Sequence, residues 1–329
     1  MDRRTFVAIT GCALVGLSPN LRAQGQATTR RIGFLSSFPR ADVEAILSQL
    51  RAELEKLGWT DGRNIVFLEP QTTDGDNARL PSVANELVAQ GPALILVQTV
   101  PATRALMQAT KTIPIVMIGV GNPVEIGVVA DLGKPGGNVT GSSYLADESV
   151  RKLLQLLKEA APRLRSIALF VNPSNPAAAP LVKQVRADAA AFGMQAQVVD
   201  VSGKGDFEPA FAAIRRANTE SILLPPEPLI RSNRDAIADF AQTHGLPLAV
   251  TGSSRYLPAS GLISYGPTTA QYAQITARYV DRILKGAKPG DLPVEQPSRF
   301  ELAINLKTAK ALGLTIPQAL LQRADEVIQ

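Results

Sequence analysis

The chain has 329 residues, of which 45% are hydrophobic and 19% are charged, and its formal net charge is +5. This length exceeds the size at which one hydrophobic core usually suffices, so two lobes are expected, and the composition excludes a disordered chain. The positive charge is small and scattered, without the long basic run that would argue for nucleic-acid binding.

The N-terminus has the pattern of an export signal, predicted over Met1–Ala23. Charged Asp2-Arg3-Arg4 precedes the apolar stretch Phe6–Leu17, and Leu21-Arg22-Ala23 forms a small-residue cleavage site. Arg3-Arg4 resembles a twin-arginine signal, but twin arginines also occur in ordinary secretory leaders, so both export routes stay open. Cys12 is the sole cysteine and lies in this leader. The mature protein is therefore expected to contain no disulfide and no thiolate metal site.

Strands and helices alternate through the first half of the mature chain, which predicts parallel βαβ units. The predicted strands are Arg30–Ser36, Asn64–Leu68, Ala93–Val97, Ile113–Ile118 and Asn138–Ser143. The predicted helices are Asp42–Leu57, Asn77–Ala89, one beginning near Thr103, and a short one over Val124–Leu132.

The turn after the fourth predicted strand has features of a ligand-binding loop. Gly119-Val120-Gly121 permits a sharp turn and a close approach of the backbone to a ligand. Asn122-Pro123 predicts an N-cap followed by proline at the first helical position. The helix Val124–Leu132 would then point its N-terminal amides at a hydrogen-bond acceptor. An ordinary strand–turn–helix connection is the alternative, and the recurrence of this architecture along the chain favours the functional interpretation.

The same series starts again after a connecting helix. Predicted strands follow at Arg165–Val171, Gln195–Val201, Ser221–Leu224, Pro247–Thr251 and Leu262–Tyr265, with helices at Asp147–Ala160, Ala177–Phe192, Phe207–Arg216 and Ile230–Thr243. The tail is predicted as helix Ala270–Leu284, strand Arg299–Ile304 and helices Leu306–Leu312 and Ile316–Ala324. We expect this tail to cross back and brace both lobes. Tyr272 and Tyr279 lie seven apart on one face of the long helix and are predicted to be core residues.

These two successive halves predict an α/β fold with two doubly wound parallel-sheet lobes joined by a hinge. The predicted domains are the signal peptide at 1–23, an N-terminal lobe of 28–144 plus 266–297, and a C-terminal lobe of 145–265 plus 298–329.

Ligands of open parallel sheets bind beyond the carboxyl ends of the strands, so two facing sheets would hold a ligand between their strand-end loops. Candidates from the first half are Ser36, Ser37, Thr99, Thr103, Asn122, Pro123, Ser142 and Ser143, and those from the second half are Asn172, Glu227, Tyr256 and Tyr265. The first set is uncharged and suits a neutral or anionic group, whereas Glu227 offers a partner for an amine. Tyr144, Tyr256 and Tyr265 offer rings that stack on a flat ligand, with a packing role as the alternative.

The sequence argues against catalysis. HExxH, GxSxG and GxxxxGK[ST] are absent, and Gly119-Val120-Gly121 lacks the third glycine of a dinucleotide fingerprint. The sole histidine, His244, lies in a helix-to-strand turn at the wrong end of the sheet and is predicted to cap a helix. No cofactor and no metal are expected. A repressor with these two lobes would need a helix-turn-helix where the leader lies.

Several stretches together resemble one protein family: Arg31–Leu35, Leu57-Gly58-Trp59, Gly62-Arg63-Asn64, Ile113–Val116, Gly119–Pro123, Lys134–Gly141, Asn172–Pro176, Ser264–Pro267 and Leu292–Leu314. They are similar to extracytoplasmic solute-binding proteins of ABC transporters with the type I periplasmic-binding-protein fold, in particular the subfamily with tryptophan- and other aromatic-amino-acid-binding members. Phenylalanine or tyrosine is common in the family where Trp59 stands, and aspartate is frequent at the position of Glu227.

The resemblance implies a monomeric, periplasmic, non-catalytic receptor. Such a receptor captures a small molecule, an amino acid or another flat polar solute, between its lobes and delivers it to an ABC transporter permease in the inner membrane. No nucleic-acid partner is expected. The alternatives are a periplasmic solute sensor that presents its ligand-bound state to a membrane receptor and, third, an exported α/β enzyme.

Overall fold

A computed structural model describes residues 29–144 and 146–329. They form two α/β units, each a mostly parallel sheet covered by helices on both faces. The predicted two-lobed fold class is thus confirmed. The predicted leader, Met1–Ala23, lies outside the described residues. No helix in 29–144 or 146–329 is long and apolar enough to cross a bilayer.

The first sheet has the strand order β2-β1-β4-β5-β6, all parallel, with the short β3 beside β1. Its strands are β1 (Arg30–Ser36), β2 (Ile65–Phe67), β3 (Gln71–Thr72), β4 (Leu94–Val97), β5 (Ile115–Gly121) and β6 (Val139–Tyr144). The helices between them are α1 (Arg40–Lys56), α2 (Leu80–Ala89) and α3 (Val100–Ala109).

Both faces of the first sheet are buried, which explains why its strands read as continuous apolar runs. In β4, Leu94 and Leu96 pack into the core under α1, while Ile95 and Val97 pack into the core under α2 and α3. Successive side chains of a strand point to opposite faces, so four consecutive apolar residues supply both cores.

The second sheet has the order β13-β12-β11-β10-β9-β7-β8, in which β12 runs antiparallel to β11. Its strands are β7 (Ser166–Val171), β8 (Gln195–Asp200), β9 (Ile222–Leu224), β10 (Leu248–Thr251), β11 (Ile263–Pro267), β12 (Phe300–Asn305) and β13 (Glu326–Ile328). Its helices are α4 (Ala146–Ala160), α5 (Ala178–Ala191), α6 (Phe207–Arg216), α7 (Pro228–Ser232) and α8 (Arg234–Thr243). After the long helix α9 (Thr269–Leu284), they are α10 (Leu306–Ala311) and α11 (Gln318–Leu321).

The tail contacts both sheets, as expected from the sequence. Helix α9 (Thr269–Leu284) leaves the second sheet after β11 and packs on the first against α1, with Tyr279 fully buried there. The chain then runs along β6, where Ser142 pairs with Glu295, before β12 joins the second sheet. The chain therefore passes between the units after β6, after β11 and before β12.

Three predicted helices differ from the structure. Val124–Leu132 is wrong: this stretch forms turns, because Asn122 enters it with a φ of 43° and the carbonyl of Pro123 accepts from the amides of both Val128 and Val129. Ile230–Thr243 is two helices, α7 and α8, divided at Asn233, whose side-chain amide donates to the Leu229 carbonyl at 2.7 Å. The last helix is shorter than predicted, and β13 follows it.

Candidate functional site

A cavity of about 170 Å³ lies between the carboxyl ends of the two sets of parallel strands. An apolar cavity of about 150 Å³ is large enough for benzene, so this one has room for a ligand with a single small ring system. The residues that decide its chemistry are Phe38, Asp42, Thr99, Asn122, Tyr144 and Tyr272 beside the first sheet and Asn172, Glu227, Arg231 and Tyr256 beside the second.

Thr99 enters the cavity wall directly after β4 and caps the next helix. Its Oγ1 accepts from the amide of Ala102 at 3.4 Å and lies 3.1 Å from Oγ of Ser37. Its φ of 75° is rare for a residue that is not glycine and costs backbone energy of the kind found at binding sites. Thr103 donates to the Thr99 carbonyl at 2.8 Å. Ser37 and Thr103 are fully buried, and their hydroxyl groups hold Thr99 in position.

Ser36 holds the loop that presents Phe38. Its Oγ accepts from the Phe38 amide at 3.0 Å and donates to Oε1 of Gln98 at 3.2 Å. Ser36 is fully buried and does not line the cavity, whereas Phe38 does.

Ser142 joins β5 to β6 where their pairing shifts register between Met117 and Val120. Its Oγ accepts from the Gly119 amide at 3.0 Å and donates to the Met117 carbonyl at 3.3 Å. Ser143 is buried, and its amide donates to the Glu295 carbonyl at 2.9 Å. These hydroxyl residues therefore lie within the sheet and not on the cavity wall.

Gly119 has a φ of 62°, and a Cβ built on it would lie 2.8 Å from Cζ of Tyr272. Glycine is thus required both by the backbone and by the ring that packs on it. Burial raises the pKa of Tyr272 well above its ordinary value, as do the neighbouring Tyr144 and Tyr256 hydroxyls. The sequence predicts Tyr272 as core, but its ring lines the cavity.

Glu227 and Asn172 form a hydrogen-bonded pair on the opposite wall. Nδ2 of Asn172 donates to Oε1 of Glu227 at 3.1 Å, and Oε2 of Glu227 accepts from the Ile230 amide at 3.0 Å, which caps α7. Burial raises the pKa of Glu227, while the hydrogen bonds from Ile230 and Asn172 act in the opposite direction. Glu227 is therefore a carboxylate fixed in one orientation at the edge of the cavity.

Arg231 lies one helical turn after Glu227 on the same face of α7, so both side chains reach the cavity. Its Cζ is 3.7 Å from the ring centre of Tyr256 and 5.3 Å from that of Phe38. Its Nε is 3.9 Å from Oδ2 of Asp42, which belongs to α1 of the first unit. Burial lowers the pKa of Arg231 and the nearby Tyr256 and Asp42 raise it, but a guanidinium stays protonated in proteins.

The structure brings part of the predicted set together. Thr99, Asn122, Asn172, Glu227 and Tyr256 line the cavity, whereas Ser36, Ser37, Thr103, Pro123, Ser142, Ser143 and Tyr265 do not. The ring of Tyr265 lies away from the cavity, because it stacks on Phe300 at 5.5 Å between centroids and packs with the core under α4. Sequence reasoning missed Asp42, Arg231 and Tyr272, which all lie within helices and not at strand ends.

Comparison with known proteins shows that most of this chain matches one protein family. The sequence model described as ABC transporter substrate binding protein matches residues 41–328. A tyrosine-binding protein of Clostridioides difficile (strain R20291) is 28% identical over 262 residues, which covers 79% of this chain and 74% of the relative.

Two solved structures bear on the arrangement of the two units. A Streptococcus pneumonia ABC domain in complex with L-Trp is 27% identical, with a TM-score of 0.82, and covers 92% of this chain and 100% of its own. A ligand-free, open substrate-binding protein with adhesive properties from Clostridium difficile is 25% identical, with a TM-score of 0.66, and covers 91% and 99%. At similar identity, this chain thus superposes better on the ligand-bound structure.

Proposed function

Since the chain belongs to the ABC transporter substrate binding protein family, we propose that it captures a small molecule outside the cytoplasm and delivers it to the permease of an ABC transporter. The ligand class is an amino acid or another flat polar solute, with aromatic amino acids first among them. The observation that carries this proposal is the cavity between the strand ends of the two units, lined by aromatic rings from both.

The rings favour a flat ligand. Phe38, Tyr144 and Tyr272 line one wall, and Tyr256 lines the other. Aromatic side chains stack on planar groups, and a tyrosine hydroxyl adds a hydrogen-bonding group at the ring edge. The tyrosine-binding relative and the neighbour in complex with L-Trp support this ligand class.

We propose further that the structure represents the closed form of a hinged receptor. Gly75 of the first unit approaches Leu229 of the second so closely that a Cβ would lie 2.8 Å from its Cα. The Asp42–Arg231 ion pair also spans the two units. The higher TM-score with the L-Trp complex than with the open protein supports the same assignment. A ligand that contacts both walls stabilises such a closed state over the open one.

The predicted leader indicates export, and the path of the chain between the two units indicates which segments belong to each lobe. We propose a monomeric periplasmic protein without catalytic activity, exported through the signal at 1–23. We propose lobe boundaries of 28–144 plus 266–297 and 145–265 plus 298–329, and the packing of α9 on α1 supports the place of this helix in the first lobe. The three passages of the chain between the units would form the hinge.

Thermal denaturation in the presence of each proteinogenic amino acid and a set of flat polar solutes tests the ligand class. A ligand at about 100 times its Kd stabilises the folded state by about 2.7 kcal/mol, which raises the melting temperature measurably. Calorimetric titration then gives the Kd, and small-angle scattering with the same ligand tests closure through a fall in the radius of gyration. If no compound raises the melting temperature, this ligand class is wrong.

Uptake of the identified ligand into cells tests delivery to a permease. Deletion of the gene should abolish high-affinity uptake of the labelled ligand, and restoring the gene should recover it. Normal uptake in the deletion strain, with loss of a response to the ligand, would instead support the sensor alternative.

A further inference from the structure

Arg231 is a buried cation whose hydrogen-bonding capacity is unused among residues 29–144 and 146–329. Its side chain is 8% exposed, and the only ion pair recorded for it in these residues is with Asp42, at 3.9 Å from Nε to Oδ2. This distance is too long for a hydrogen bond. Oδ2 of Asp42 is itself buried and accepts no hydrogen bond from the described residues.

A buried ion pair without hydrogen bonds destabilises the folded state of a protein. Buried polar atoms are nearly always hydrogen-bonded, and a buried ion pair repays its desolvation only when the geometry is good. The guanidinium of Arg231 carries several N–H donors in one plane. The rings of Tyr256 and Phe38 favour the positive charge but do not replace in-plane acceptors for those donors. Arg231 lines the cavity, so a molecule bound there can supply in-plane acceptors for these donors.

We propose that Arg231 determines the specificity of the cleft by binding a carboxylate group of the ligand. This inference rests on the proposed function, in that the cleft takes a small molecule, and it adds the chemical group that the molecule must carry. A carboxylate matches the planar fork of a guanidinium with two parallel hydrogen bonds. Stacking on Tyr256 fixes the plane of the fork and so orients the bound acid.

The other charged residues of the cavity wall further restrict the chemical class of the ligand. Arg231 is the sole cation among the described residues that line the cavity, and Asp42 and Glu227 are its acidic residues. Two nearby carboxylates disfavour a dianion such as a phosphate monoester more than they disfavour a single carboxylate. They also favour a ligand whose other polar group is an amine. The chemical class is a compact aromatic or other flat carboxylic acid.

Matched pairs of acids and amides test this proposal on the unchanged protein. The pairs are L-tyrosine with L-tyrosinamide, L-tryptophan with L-tryptophanamide, and phenylacetate with phenylacetamide. Each amide keeps the ring and shape but lacks the anionic acceptor. We expect at least one acid to bind at least tenfold more tightly than its amide in calorimetric titration. Equal binding within every pair, or binding of no acid, would overturn the proposal.

Arg231→Gln and Arg234→Gln form a matched pair of variants. Arg234 also pairs with Asp42, at 3.8 Å, but it is 34% exposed and does not line the cavity. Arg231→Gln should weaken acid binding at least tenfold, leave amide binding unchanged and so remove the acid preference. Arg234→Gln should keep it. An acid preference that survives in Arg231→Gln would overturn the assignment.

Arg231→Lys covers the case in which Arg231→Gln does not fold. Lysine keeps the charge but lacks the planar fork, so acid affinity should fall several-fold while an acid preference remains. Unchanged acid affinity in Arg231→Lys would contradict a bidentate contact.

Phenylacetate separates this inference from the proposed ligand class, because it lacks an amine. If phenylacetate binds through Arg231 and no amino acid binds, the amino-acid proposal fails and the carboxylate proposal stands.

Discussion

Nε1 of Trp59 donates a hydrogen bond to Oδ1 of Asp281 at 2.9 Å, across 222 positions of the sequence. Asp281 also forms an ion pair with Lys285, which lies one turn later, directly after the end of α9. The indole thus ties the loop after α1 to the helix that returns from the second unit. The bond explains what an indole adds at this position, since phenylalanine lacks a donor.

Trp59→Phe is expected to lower the free energy of unfolding by about 1.5 kcal/mol, because a hydrogen bond to a charged acceptor is lost. Urea denaturation at neutral pH measures the change. The same substitution in an Asp281→Ala background removes no hydrogen bond and should cost clearly less. Equal losses in both backgrounds would mean that the effect of Trp59 is packing alone.

The contribution of Asp281 should depend on pH. Burial opposes its ionised form, but hydrogen bonds from Lys285 and Trp59 outweigh burial and hold the pKa of Asp281 below its ordinary value. A lowered pKa in the folded state adds stability above the unfolded value of about 3.9, and this stability is lost as the pH falls through the folded value.

Asp281→Asn should therefore be less stable than the unchanged protein at neutral pH, by at most about 1 kcal/mol since Lys285 is exposed, and this deficit should shrink below about pH 4. Denaturation curves across this range give the result. Asp239→Asn, on an exposed carboxylate of α8 without an ion pair in the described chain, is the control for the loss of a carboxylate as such. A deficit that grows on acidification would contradict the assignment.

Alanine substitutions at Tyr256 and Tyr265 should have different effects, the first on ligand affinity and the second on the stability of the folded protein. Tyr256→Ala removes a ring from the cavity wall and should weaken binding of the best ligand of the amino-acid panel by about 2 kcal/mol. Tyr265→Ala should lower the melting temperature of the ligand-free protein and leave affinity unchanged, because its ring packs on Phe300. Titration and thermal denaturation of both variants measure the contrast. Loss of affinity in Tyr265→Ala alone would place the ligand elsewhere.

Gly119→Ala should weaken binding because the new methyl group displaces Tyr272 from the cavity wall. Gly127→Ala is the matched control: Gly127 has a similar φ of 71°, but a Cβ there meets nothing within 4 Å. Both variants pay about 1 kcal/mol of folding free energy for the left-handed backbone. Only Gly119→Ala should lose affinity in titration. Equal affinities in the two variants would show that the position of Tyr272 does not matter to the ligand.

The sequence predicts the order of strands and helices well because apolar periodicity is local. Ile113–Ile118 is continuous and apolar, and β5 forms there. The strand β13 (Glu326–Ile328) is missed because three residues carry no periodicity of their own, and its pairing with β12 is a tertiary contact. The break between α7 and α8 is likewise hidden, since Asn233 is compatible with a helix until its side chain bonds the Leu229 carbonyl.

The cavity wall is predicted less well because the strands end later than their apolar runs suggest. Strand β11 continues to Pro267, so Pro267 lines the cavity while Tyr265 lies two residues inside the sheet. In the same way β6 continues to Tyr144, beyond Ser142. Arg231 lies in a helix and not at the end of a strand, so the sequence pattern does not mark it as a site residue. It lines the cavity because of the way in which the two units meet.

The path of α9 has a consequence for the order of assembly during synthesis. This helix supplies Ala273, Tyr279 and Val280 to the core that also contains Ile46 and Leu50 of α1. A growing chain that has just completed β11 has made every strand of the first sheet and most of the second. The part of α1 that packs against α9 is still uncovered at that moment, because its partner helix has not left the ribosome. The first unit thus reaches its native core only after most of the second has been translated, which leaves a long interval in which a chaperone or an export factor can bind the unfinished chain.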